Sequence, residues 1–126
     1  MNAPEGVKYS EQHIWVKLDG NLATLGITDF AQCELGDIVF VELPKAGSEI
    51  RAGDAFGSME SVKTVSDLYA PVSGKVIKVN ESLEDKPGQI NASPYEDGWL
   101  LQVELSDPNE IKQLWSTKQY IDTYGV

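Results

Sequence analysis

Apolar and polar residues alternate in short runs over most of the chain, and a helical period replaces the alternation only near the end. Residues 13–18 (HIWVKL) read as a strand, Asp19-Gly20 as a type I′ hairpin signal, and residues 22–27 as the returning strand. Thr28 or Asp29 is placed to cap a short helix through Leu35, which Gly36 ends. Residues 37–43 then alternate, Ile38, Phe40 and Glu42 opposite Val39, Val41 and Leu43, until Pro44 stops them. Further short strands fit residues 49–51, 55–60, 65–69 and 74–79. Residues 81–98 form a polar surface loop with Pro87 and Pro94, and residues 99–105 are a last strand.

From Asp107 the period changes. Asp107 is a good N-cap, Pro108 suits the first helical position and Glu110 closes a capping box, with Ile111, Leu114 and Trp115 as the apolar stripe. Ser116 with Gln119 repeats the box ahead of a second helix carrying Tyr120, Ile121 and Tyr124. Many short strands followed by helices predict a mainly β domain, a small sandwich or flattened barrel with a short internal helix and a helical appendix. The expected unit is a single domain over residues 1–126, with the sandwich at about 7–105 and the C-terminal helices at about 107–124.

Composition agrees with one folded domain: 126 residues, 41% hydrophobic and 24% charged. The longest apolar run, Ile38-Val39-Phe40-Val41, is far too short to cross a bilayer, and the start MNAPEGVKYSEQ has no signal-like core, so a cytoplasmic protein is expected. A net charge of −10 disfavours nucleic acid and anionic membrane as partners and favours steering toward basic protein surfaces. Cys33 is the only cysteine, which excludes an internal disulfide, and it reads as a small buried hydrophobe near a helix.

No catalytic set and no metal site emerge. One histidine and one cysteine lack any zinc-ligand spacing, and His13 beside Trp15 reads as structural. Gly53 and Gly57 bracket a strand start rather than a phosphate loop. Lys63 is different. It stands in MESVKTVSDLYAP, at the tip of a hairpin between two short strands, and the tip Val62-Lys63-Thr64 has no Gly, Asn or Asp to turn it. Glu60 and Asp67 flank it. A strand-flanked tip of this kind holds the Cα rigidly with Val62 and Thr64 in strand-like geometry and projects the lysine into water.

Those residues carry a resemblance. Glu60-Ser61-Val62-Lys63, Ser66-Asp67 and Tyr69-Ala70-Pro71-Val72-Ser73-Gly74 resemble the lipoylation site of the glycine cleavage system H-protein family. The likeness continues in Lys8-Tyr9-Ser10, His13 with Trp15, Gly26-Ile27-Thr28, Ala31-Gln32, Leu35-Gly36-Asp37, Asn91, Pro94-Tyr95 and Gly98-Trp99. It implies a lipoyl-domain-like barrel-sandwich hybrid with (R)-lipoate amide-linked to Lys63, and a carrier rather than an enzyme. Glu60, Ser61, Val62 and Asp67 would then serve recognition by a lipoate ligase or lipoyl transferase, or line the cleft that takes the arm.

The sequence departs from the family at Ile14 and Phe30. In the family a carboxylate at the position of Ile14 helps hold a cationic aminomethyl arm in a cleft. An isoleucine cannot, although an exposed ion pair contributes only ~0–1 kcal/mol. An apolar cleft at Ile14 and Phe30 suits a cargo that is not an ammonium, so the expectation set first is a lipoate-binding protein of sulfur oxidation serving a heterodisulfide-reductase-like complex. The alternative is the glycine cleavage carrier of the aminomethyl group, working with glycine decarboxylase, aminomethyltransferase and dihydrolipoyl dehydrogenase. A third reading is an interaction module with Lys63 unmodified.

Overall fold

The structure, a computed structural model, describes residues 3–124. Its strands and helices run β1 Lys8–Tyr9, β2 Ile14–Asp19, β3 Leu22–Ile27, α1 Asp29–Leu35, β4 Ile38–Glu42, β5 Glu49–Ile50 and β6 Ala55–Ser61. They continue with β7 Val65–Tyr69, β8 Gly74–Val79, α2 Ser82–Asp85, α3 Gln89–Ala92, β9 Leu101–Leu105, a 3-10 helix Pro108–Gln113 and α4 Thr117–Tyr124. All strand pairs are antiparallel: a six-stranded sheet in the order β1-β2-β3-β9-β8-β5 and a three-stranded sheet in the order β4-β6-β7. The mainly β fold with a few helices is the one expected from the alternation.

β2 shows why the sandwich closes. Ile14 and Val16 face the main core with Leu25, Ile27, Met59 and Val103, while Trp15 faces the other way into an aromatic cluster with Tyr9 and Tyr120. Both faces of the first half of this strand, Ile14 to Val16, are therefore dry, while Lys17 and Asp19 reach solvent. Trp15 donates its indole N–H to the Pro94 carbonyl at 2.9 Å, and Gly26 leaves the space its ring fills: a Cβ there would lie 2.5 Å from the indole.

Several expectations shift. The first hairpin turns at Gly20-Asn21, since Asp19 pairs with Leu22; Gly20 has φ +61° and Asn21 does not enter the positive region, so the turn has the II′ sense rather than I′. The β4 alternation breaks at a register shift between Ile38 and Phe40, which keeps Ile38 buried and turns Phe40 outward at 56% exposure. The polar stretch after Asn80 is not a plain loop. It forms α2 and α3, whose Leu83 and Ile90 are buried in the main core. Asn80 fastens it by donating to the carbonyls of Asp97 and Trp99 at 2.9 and 2.8 Å.

The C-terminal segment is half as expected. Asp107 does cap, accepting from the Asn109 N–H at 3.1 Å, but the segment is 3-10 and ends before Leu114 and Trp115. Glu110 closes no box, because its carboxylate accepts from the Ser73 N–H and hydroxyl at 2.7 and 2.9 Å. Trp115 instead pairs by backbone with Tyr9. The second box does form: Ser116 N–H donates to Gln119 Oε1 at 3.0 Å, and Gln119 N–H donates to Ser116 Oγ at 3.2 Å.

Candidate functional site

The hairpin tip is built by Ser61. β6 ends there and β7 begins at Val65, so Val62, Lys63 and Thr64 form the loop. This corrects the expectation that Val62 and Thr64 lie in strand geometry. Ser61 Oγ, in a residue only 6% exposed, accepts from the N–H groups of Lys63 and Thr64, both at 3.1 Å. The Ser61 N–H donates to the Thr64 carbonyl at 2.8 Å, and the Val62 N–H donates to the Asp37 carbonyl at 3.0 Å. A hydroxyl that gathers two following N–H groups does the work a glycine or asparagine does in other turns.

Lys63 is exposed, and the one side-chain ion pair among the described residues, Lys118–Asp122, does not involve it. Its stem lies against the end of α1. Gly36, at φ +80°, caps that helix, and a Cβ on it would come within 3.3 Å of Lys63 Cε. The positive φ is what favours glycine there, and the lysine stem passes close over it. Asn91 of α3 holds this corner from behind: its side chain accepts from the Ile38 N–H at 2.9 Å and donates to the Gly36 carbonyl at 2.8 Å and Gln32 Oε1 at 3.0 Å.

Beside the tip, the outward face of the three-stranded sheet mixes apolar and acidic residues. Phe40, Glu60 and Val65 stand in one cross-strand row, and Glu42, Ser58 and Asp67 in the next. Phe40 and Val65 are 56% and 62% exposed and Val62 at the tip is 67% exposed, unusually open for large apolar groups. Thus Glu60 and Asp67 share a face with the lysine's hairpin, whereas Ser61 faces inward.

A groove of about 160 Å³ runs along α1 and β7. Ile14, Ile27, Ala31, Leu35 and Leu68 with Phe30 form its apolar part, and Gln12, His13, Glu34, Ser66 and Asp67 its polar rim. Ile14 and Phe30 are thus brought together in one depression, as expected, but Ile14 is 1% exposed and belongs to the core. Four larger grooves among the described residues, of about 280 to 730 Å³, are lined by none of these side chains. α1 contributes Phe30, Ala31, Glu34 and Leu35 to the groove at helical spacing, with Ala31 buried and Glu34 exposed at the rim. Cys33 is exposed, not buried as its residue type suggested.

His13 closes one end of the groove. It alone among the described non-glycine residues has a positive φ, 68°, and its ring stacks on Phe30 at 4.9 Å between centroids. Its Nδ1 is 2.8 Å from the Tyr120 hydroxyl, which is 2.7 Å from Thr28 Oγ1, and Thr28 Oγ1 in turn accepts from the Ala31 N–H to cap α1. Burial lowers the His13 pKa below the usual imidazole range, against an opposing pull from the Glu34 charge. Burial likewise pushes the Tyr120 phenol up to about 12. These are the properties of a structural histidine. The sequence reading singled out Ser61 and Asn91 through the family resemblance but not the turn that Ser61 builds or the corner that Asn91 braces, and it did not place Glu34 in the groove, since a glutamate on a short helix is commonplace.

A lysine presented at a hairpin tip of a β-sandwich, exposed and outside any side-chain ion pair among the described residues, is the arrangement of a carrier protein. The model of the family described as Glycine cleavage H-protein matches residues 7–125. Glycine cleavage system H proteins of Staphylococcus saprophyticus and Staphylococcus epidermidis are 58% and 55% identical over 125 residues, spanning 99% of this chain and 99% of each relative. The crystal structure of a glycine cleavage system H protein from Mycobacterium marinum superposes with a TM-score of 0.90 at 36% identity, covering 98% of this chain and 99% of that one. The chain belongs to the glycine cleavage H-protein family, and it is a non-catalytic carrier. These relatives favour the glycine cleavage alternative over the sulfur-oxidation pathway, for which Ile14 and Phe30 were the argument. Among the described residues no helix is long and apolar enough to cross a membrane.

Proposed function

We propose that this chain is the carrier of a glycine cleavage system, with (R)-lipoate joined by an amide to the Nζ of Lys63. The observation that carries the reading is the presentation of Lys63: exposed, outside any side-chain ion pair among the described residues, on a tip pinned by Ser61. Such a lysine fits the group, because acylation removes its charge and breaks no partner. When bound, lipoate supplies a disulfide that exchanges and is reduced and reoxidised.

The residues of the chain do the rest. Ser61 and Gly36 hold the tether's root, so the arm's far end samples a confined volume at high effective concentration. Glu60, Val62 and Asp67 belong to the face that a lipoate ligase or lipoyl transferase reads, and Phe40 and Val65 extend it. Glycine decarboxylase, aminomethyltransferase and dihydrolipoyl dehydrogenase approach the same face, steered by the net charge of −10. The sandwich of residues 7–105 and the C-terminal helices of 107–124 act as one unit. The test is intact mass after incubation with a lipoate ligase: one adduct on wild type, none on Lys63→Arg. An adduct that survives in Lys63→Arg overturns the assignment.

A further inference from the structure

Seven large apolar side chains stand exposed among the described residues, and five of them belong to β4, β7 or the tip between β6 and β7: Val39, Phe40, Val62, Val65 and Tyr69. Scattered exposed apolar groups need no explanation, but a cluster beside the modified residue does. We propose that Phe40 is the anchor by which the enzyme that attaches lipoate docks on this chain, its ring entering an apolar pocket with a basic rim. The inference rests on the proposed function and adds to it the residue, on a strand outside the lysine's hairpin, that carries the recognition.

The fold turns Phe40 out by a specific device. The register shift between Ile38 and Phe40 keeps Ile38 in the core and places the Phe40 ring in one outward row with Glu60 and Val65. At 56% it is the one aromatic ring of the cluster more than half exposed, and a phenyl group buries more area than a valine with few rotamers to freeze. Glu42, Glu60 and Asp67 are exposed on the same face, and none of them enters the one ion pair among the described residues. An apolar centre with an acidic rim matches a pocket ringed by Lys or Arg and repels a second copy of this chain. The net charge of −10 sets nucleic acid and anionic membrane aside.

Reach selects the occupant. Before acylation the reacting atom is Nζ, at the end of a stem that lies against Gly36, so the attaching enzyme has to close on the tip itself. Enzymes that act afterwards meet a group carried at the end of a longer arm. In attachment the lysine ammonium gives up two protons, its nitrogen bonds the acyl carbon of an activated lipoyl group, and the activating group leaves with the bonding pair. Phe40 takes no part in those bonds. It fixes where the enzyme sits, so its loss weakens binding and leaves the chemical step alone. A row that spans β4, β6 and β7 exists only in the folded sheet, and the same anchor therefore confines attachment to folded chains.

The test uses the full unmodified chain with a lipoate ligase, lipoate and ATP, reading the initial rate of adduct formation against chain concentration. Phe40→Ala should raise KM about five- to thirtyfold, the scale of an interface anchor, with kcat held within about twofold. Phe40→Leu should recover most of the loss. The Phe40→Ala chain should keep the wild-type unfolding midpoint, because the ring is solvated. Ile77→Ala removes another exposed apolar group, from β8 of the six-stranded sheet, and should leave KM and kcat unchanged. A second measurement needs no reaction at position 63: the Lys63→Arg chain should compete with wild type for the ligase, and adding Phe40→Ala should weaken that competition by the same factor. Unchanged KM and unchanged competition overturn Phe40 alone, as does an equal loss in Ile77→Ala. A KM raised only when lipoylated Phe40→Ala meets glycine decarboxylase gives the face to that enzyme and overturns the assignment to the ligase. A wild-type chain that takes no lipoate overturns the Lys63 reading as well.

Discussion

At the scale of residues, the tip depends on one hydroxyl. Ser61 Oγ is the acceptor for two consecutive N–H groups and is itself nearly buried, so its loss leaves the loop without an internal turn. Each such bond is worth ~1 kcal/mol net, and exposed N–H groups can turn to water, so Ser61→Ala should cost about 1–2 kcal/mol. Ser61→Thr keeps the oxygen and should cost less. Denaturant unfolding measures the first effect. The consequence for function is separable: the initial rate of adduct formation by a lipoate ligase should fall in Ser61→Ala under conditions where the protein remains folded. A rate equal to wild type would mean that the ligase, not the hairpin, arranges the lysine.

At the scale of elements, α4 is more than an appendix. Its N-terminus is closed by the reciprocal pair of Ser116 and Gln119, and its Tyr120 reaches through to Thr28 and His13, joining the last helix to the cap of α1. α1 in turn carries the groove stripe and ends at Gly36 beside Lys63. A capping serine replaced by alanine costs ~1 kcal/mol. Ser116→Ala should therefore lower stability by about that amount, with amide exchange in residues 117–124 rising before that of β2 and β3. The His13 ring resonances should shift with it, because Tyr120 is their shared partner. Global exchange rising uniformly instead would show that α4 unfolds only with the sandwich.

At the scale of the whole molecule, His13 and Tyr120 are among the buried groups that tilt stability with pH. The native His13 pKa lies below the unfolded value of ~6.5, so the unfolded chain binds the proton more readily. Its contribution is intact above pH ~6.5 and is lost as pH falls from there through the native value. Tyr120 works at the other end: its native pKa of about 12 exceeds the unfolded ~10, so stability is intact below pH ~10 and falls between ~10 and 12. The melting temperature measured across pH should fall on both limbs. His13→Asn, a residue type that tolerates the positive φ of 68°, should flatten the His13 share of the acid limb. An acid limb unchanged in that variant would assign the whole effect to carboxylates.

Much was written in local pattern. β3, β7 and β8 stand where alternation and turn residues put them, and α1 runs from its Thr28 cap to Gly36, because caps, turns and a period of two are set by neighbours along the chain. The departure of position 14 and the exposure of Lys63 were also legible there, since both are matters of residue type and context. What required the tertiary structure is everything that depends on a partner far along the chain. The bulge that turns Phe40 outward answers to pairing with β6, and Leu83 and Ile90 are buried because a core exists for them to enter. Glu110 abandons its box because Ser73 offers two donors. Glu34 became a groove residue only when α1 packed beside β7 and His13. A carboxylate on a short helix reads as solvated until the neighbours that give it a direction are in place, and those neighbours come from folding.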